Sequence, residues 1–145
     1  VKFFAAYLSV HKNASFDEPV DAMIYTVVAA LGFATVENIG AAVGANSEFT
    51  AVLNNIFITT SLRFIGATLL HALASAFVGY FWAYGIRRFN SKKYILYGII
   101  IATVLHAIFN FFIINLGGIV YPIIVLVIAG FFILSDFEKL KRQAL

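Results

Sequence analysis

Short polar interruptions divide this chain into long apolar runs. Residues 1–10, VKFFAAYLSV, read as the last turns of an apolar helix that gives way to the polar stretch HKNASFDEP. The next helix is predicted from about Pro19 to Val43. Ser15 or Asp17 would cap it, and Pro19 would lie in its first turn, where a missing N–H does no harm. Gly44, Asn46 and Ser47 end it. Residues 48–60, EFTAVLNNIFITT, are amphipathic and suit either an interfacial helix or the start of the next span. Apolar spans follow over about 61–86, 94–116 and 119–135. They are separated by RRFNSKK and by the Gly117–Gly118 turn and followed by the polar tail DFEKLKRQAL.

Runs of about 20 apolar residues match a hydrocarbon core about 30 Å thick. Backbone groups in lipid must be satisfied within their own segment, which selects helices. A transmembrane barrel requires alternating strands of about ten residues. GIIIATVL and IIVLVIAGFFIL show no such alternation. The expected fold is all-α, a polytopic transmembrane helix bundle with about four full spans plus the tail of an N-terminally truncated one. Residues 1–145 form one membrane-embedded domain. The opening VKFFAAYLSVHKN begins inside a helical pattern and carries no signal-peptide cleavage site, so we expect a longer parent chain.

Composition supports the membrane reading. The chain is 62% hydrophobic and 12% charged, with a mean hydropathy of +0.94. A soluble domain averages about half apolar and a quarter charged. Without cysteine there is neither a disulfide nor a thiolate metal site. The net charge of +3 is clustered in loops, where it sets topology rather than binding nucleic acid. RRFNSKK and DFEKLKRQAL are separated by two spans, as are the Lys12 loop and RRFNSKK, so all three lie on one side. The positive-inside rule makes that side cytoplasmic, including the 87–93 loop and the C-terminus. Arg63 is the exception, at the opposite end of its span.

Few polar residues fall inside the spans. They are Glu37 and Asn38 in FATVEN, Arg63 and His71 in RFIGATLLH, and His106 and Asn110 in HAIFN. Counted from the nearest cytoplasmic marker at 1.5 Å per residue, Glu37, His71, His106 and Asn110 all lie roughly 20–27 Å deep. Three helices thus place a carboxylate, two imidazoles and an amide in one layer. Phe33 with Glu37, and His106 with Asn110, share helix faces at a spacing of four. Glu37, His71 and His106 suit a zinc ion, or a water activated by a general base with no metal at all. An Asn amide can donate to an oxyanion. The plainer readings are interhelical hydrogen bonds for the histidines and Asn38, and snorkelling or pairing with Glu37 for Arg63. GAAVG and the segment from Ser75 to Gly79 are small-xxx-small patterns that suit close packing.

These residues also resemble the PrsW family of intramembrane proteases, within the wider CAAX-processing and bacteriocin-processing group. Phe33 with Glu37 matches its Phe-x-x-x-Glu element, His71 its single His, and His106 with Asn110 its His-x-x-x-Asn/Asp element. The family's Glu-Glu-x-x-Lys element is present only as Lys2, and its Glu pair is expected just before Val1, separated from it by one residue. The chain by itself therefore lacks that pair. The resemblance implies hydrolysis of membrane-tethered protein substrates, as in site-1 cleavage of an anti-sigma factor, in a prokaryotic plasma membrane. It implies Glu37 and His71 for water or metal handling, and His106 and Asn110 for the substrate carbonyl. Lys2 and Arg63 are supporting residues. Membrane-spanning substrates and the bilayer are the implied partners, with oligomeric state open. The alternatives are a non-enzymatic scaffold or immunity-type protein of the same fold, and a small proton-linked transporter.

Overall fold

The computed structural model describes residues 1–43, 64–88, 92–116 and 119–142. The expectations for 48–60 and for Arg63 lie outside the described residues. Five α-helices are described: α1 (Lys2–Val10), α2 (Asp21–Val43), α3 (Leu69–Arg87), α4 (Lys92–Leu116) and α5 (Val120–Arg142). A π-helical turn, Phe64–Thr68, leads directly into α3. Four of these helices are long and apolar enough to cross a membrane; the chain is an integral membrane protein, and every regular element among its described residues is helical.

Two helix ends differ from the sequence reading. The backbone turns through Pro19 and enters α2 at Asp21. The hydrogen bonds that fix this entry come from Asp21 rather than from Ser15 or Asp17. Its Oδ2 accepts from the backbone N–H of Asp17 at 3.1 Å and of Glu18 at 2.9 Å. A carboxylate there also faces the positive end of the helix dipole. At the other end of the chain, α5 continues past the apolar run to Arg142. Lys139 and Asp136 pair across one turn at 2.8 Å, and three basic residues in the last turn complement the dipole.

Helix α3 lies at the centre and packs against each of the other four helices. Half of its most apolar 18-residue window is buried, against 6% for α4, so α4 presents most of its surface outward. That surface carries exposed Leu96, Ile100, Val104 and Phe111, as a lipid-facing helix should.

The seam between α2 and α3 runs antiparallel and is fixed near both ends. At one end, Gly79 of α3 lies so close to α2 that an added Cβ would meet Ala22 O and Met23 Cα at 2.6 Å, as well as the Thr26 hydroxyl. At the other end, Asn38 Nδ2 donates to the buried Thr68 Oγ1 across 3.0 Å. A similar approach joins α3 to α4, where a Cβ on Gly98 would meet Val78 Cα at 3.0 Å. Helix α1 is anchored by aromatic packing. Trp82, 2% exposed, is flanked by Phe3, Tyr7 and Phe16 at centroid separations of 5.5, 5.5 and 4.9 Å.

Three outcomes follow from these helix contacts. Gly79→Ala should destabilise the bundle by about 1–3 kcal/mol, the usual cost of overpacking, and lower its melting temperature in detergent. Gly32→Ala, with no atom within 4 Å of the new Cβ, should leave stability unchanged or raise it by up to about 1 kcal/mol. A double-mutant cycle of Asn38→Ala with Thr68→Ala should give a coupling energy of about 0.6 kcal/mol and at most about 1.7, the range of interhelical hydrogen bonds in bilayers. A coupling of zero in bicelle unfolding would remove this bond from the seam.

Candidate active site

The seam brings Glu37 of α2 opposite His71 of α3. His71 Nε2 lies 3.0 Å from Glu37 Oε2. On the ring's other side, Lys2 Nζ lies 2.8 Å from His71 Nδ1. A lysine ammonium has only donors to offer, so it donates to Nδ1. That leaves the His71 proton on Nε2, where it donates to Glu37. The result is a chain of ammonium, neutral imidazole and carboxylate that draws on three helices. Lys2 also lies 5.3 Å from the Phe33 ring centroid, and Phe33 stacks obliquely on His71 at 5.6 Å. Phe33 and Glu37 are one turn apart on α2, so one helix face supplies both the carboxylate and the ring that shields the cation.

His106 of α4 completes the cluster. Its ring stands edge-on to His71 at a centroid separation of 5.3 Å. Its Nδ1 lies 3.0 Å from the Ala102 carbonyl of its own helix. A carbonyl only accepts, so Nδ1 carries the proton and Nε2 keeps its lone pair. Asn110 lies one turn beyond His106 and is exposed, and among the described residues no hydrogen-bond partner reaches it. The structure thus joins Lys2, Glu37, His71 and His106 and leaves Asn110 at their margin. Arg63 lies outside the described residues.

Solvent access differs along the chain of groups. The Glu37 side chain is 40% exposed and that of His71 13%. The carboxylate is therefore the more accessible of the two, and the imidazole is held in place behind it. A cavity of about 470 Å³ has Lys2 and His106 in its wall.

Glu37, His71 and His106 do not fit a metal as they stand. Zinc needs lone pairs converging from its ligands at about 2.0–2.2 Å. Both His71 nitrogens are already engaged, by Lys2 and by Glu37. Among the described residues no group of three His, Cys, Asp or Glu side chains is placed to hold a metal ion.

The sequence reading missed Trp82, which anchors the helix that carries Lys2. It also missed the π-helical turn ahead of α3. Trp82 is the sole tryptophan of the chain, and that was the only signal available. The π turn left none.

Comparison with known proteins gives the family. A family model described as a PrsW family intramembrane metalloprotease matches residues 1–135. Protease PrsW of Geobacillus kaustophilus (strain HTA426) is 32% identical over 113 residues, covering 76% of this chain and 45% of the relative. Protease PrsW of Bacillus subtilis (strain 168) is 28% identical over 125 residues, covering 83% of this chain and 52% of the relative. The chain spans about half the length of the curated relatives it matches. No solved structure matches it. With the family model covering nearly the whole chain, this protein belongs to the PrsW family of intramembrane proteases.

Proposed function

We propose that the intact protein hydrolyses peptide bonds of membrane-tethered proteins at the cluster around Glu37 and His71, with site-1 cleavage of an anti-sigma factor as its specific task. The observation that carries this reading is the Lys2–His71–Glu37 chain, which leaves a partly exposed carboxylate beside an oriented imidazole. Glu37 takes a proton from water as the water oxygen attacks the substrate carbonyl carbon. The His71 Nε2–H bond orients the carboxylate, and Lys2 fixes the tautomer that makes this bond. The tetrahedral oxyanion then collapses. The C–N bond breaks, and the proton held by Glu37 passes to the leaving amine. His106 and Asn110, one turn apart on α4, face the substrate carbonyl. His106 reaches it as a donor only after Nε2 gains a proton, whereas the Asn110 amide can donate directly.

No step is routed through a metal, because the donors of this chain do not converge on one. The basic loops support a cytoplasmic side for residues 87–93 and the C-terminus. The site then lies in the outer half of the membrane.

In the intact protein, His71→Ala, His106→Ala and Glu37→Gln should each lower cleavage of a co-expressed membrane-tethered reporter by at least about a hundredfold, with insertion and helical content retained. If both histidine variants cleave at the parent rate, the assignment is wrong, and a scaffold or proton-relay role takes its place. Activity should also survive chelation. Loss on chelation that zinc restores would overturn the metal-free route.

A further inference from the structure

We propose that the cavity beside Lys2 and His106 is a substrate subsite. It takes a large apolar side chain next to the scissile bond, and Ser75 holds the neighbouring substrate backbone. This rests on the proteolytic reading above and names what that site selects.

Helix α1 packs on α2 and α3, and the cavity occupies the space between it and α4. The α4 wall is one helical stripe, Ile99, Ala102, Thr103 and His106, and the floor is Ala74, Ser75 and Val78 of α3. A volume of about 470 Å³ falls within the range of small-ligand pockets, about 300–1,000 Å³. Mostly small side chains on the floor leave room for a bulky one from outside. His106 and Lys2 are part of its lining, with Val1, Phe3 and Phe4 beside Lys2, so a side chain lodged in it brings its own backbone near the reacting groups.

Ser75 is the second, independent observation. Hydroxyls on these helices normally bond back to the carbonyl four residues earlier. Ser9, Thr26, Thr35 and Thr103 all do so, at 2.7 to 2.9 Å. Ser75 is 6% exposed and lines the cavity, and among the described residues its hydroxyl has no hydrogen-bond partner. Among the described residues no sealed-in side-chain oxygen or nitrogen lacks a partner, so the Ser75 oxygen is open to the cavity and free to pair with what enters it. Ser75 lies one turn from His71 on the same face of α3. Its hydroxyl is therefore placed to pair with a peptide group of an extended substrate. Such a substrate needs partners, because peptide groups drawn out of a helix in lipid lose their own.

The test uses the intact protein in proteoliposomes with a mixture of synthetic single-span peptides, and mass spectrometry reads the cut sites. The parent should cut beside Leu, Ile or Phe. Ala102→Leu fills the cavity and should shift preference toward Ala or Gly at that position by at least about tenfold. Ser75→Ala should raise KM for the preferred peptide about three- to tenfold, with a smaller change in kcat. If both variants keep the parent's cut sites and KM, the subsite is refuted while proteolysis stands. If the parent cuts no peptide, the proteolytic reading falls and the subsite with it. Should Ala102→Leu fail to accumulate, Ser75→Ala alone decides.

Discussion

The antiparallel contact between α2 and α3 is the constraint from which the rest of the site follows. Gly79 removes the side chain that would hold the two backbones apart, and Asn38 and Thr68 close the seam at its other end. Glu37 and His71 lie between these two fixed points. Their 3.0 Å approach is therefore set by backbone register and does not depend on two flexible side chains finding each other. The other site residues inherit positions in the same way. The close approach at Gly98 sets α4 against α3 and with it His106. The aromatic packing around Trp82 sets α1 and with it Lys2. Each polar residue is placed by a nearby contact that is apolar or small.

Electrostatics explains why the placement must be tight. An ionised side chain in hydrocarbon is expensive, and such residues persist there by pairing with one another or facing a polar cavity. Lys2 and Glu37 carry opposite charges and share one imidazole between them. The chain is neutral overall, and each member has a partner of the right polarity. Removing Lys2 or Glu37 would leave the opposite charge uncompensated. This also accounts for a lysine at membrane depth, where snorkelling is the usual alternative.

Much of this was legible in the sequence because the membrane converts residue number into depth. A rise of 1.5 Å per residue, counted from charged loops, put Glu37, His71 and His106 in one layer before any packing was known. Depth says nothing about rotation around each helix axis. Asn110 shares the layer yet lies at the margin, exposed. The helix ends were misjudged for a related reason. Hydropathy marks where apolar residues stop, whereas α5 runs on through a polar stretch held by an ion pair and the dipole. Ser75 was read as part of a small-residue packing pattern. Only the neighbours of its hydroxyl distinguish it from the serine and threonines that bond back to their own helices.

The two histidines show how much of the chemistry depends on neighbours. In sequence they are equivalent, each an imidazole at similar depth. In the fold, His71 is held between a cation and a carboxylate, and both its nitrogens are committed. His106 is tied at Nδ1 to its own backbone and keeps a lone pair at Nε2. One imidazole is therefore a fixed orienting group, and the other is free to accept a proton or a substrate hydrogen bond. A metal site would need both to present lone pairs to the same point, so His71 would have to give up Lys2 and Glu37 together. The neutrality that makes the cluster tolerable in lipid would be lost in the same step, unless the cation supplied charge that Glu37 and further acidic groups could balance. Among the described residues no three such side chains are placed to hold an ion together. As the described residues stand, the charge balance is kept by leaving His71 committed to Lys2 and Glu37.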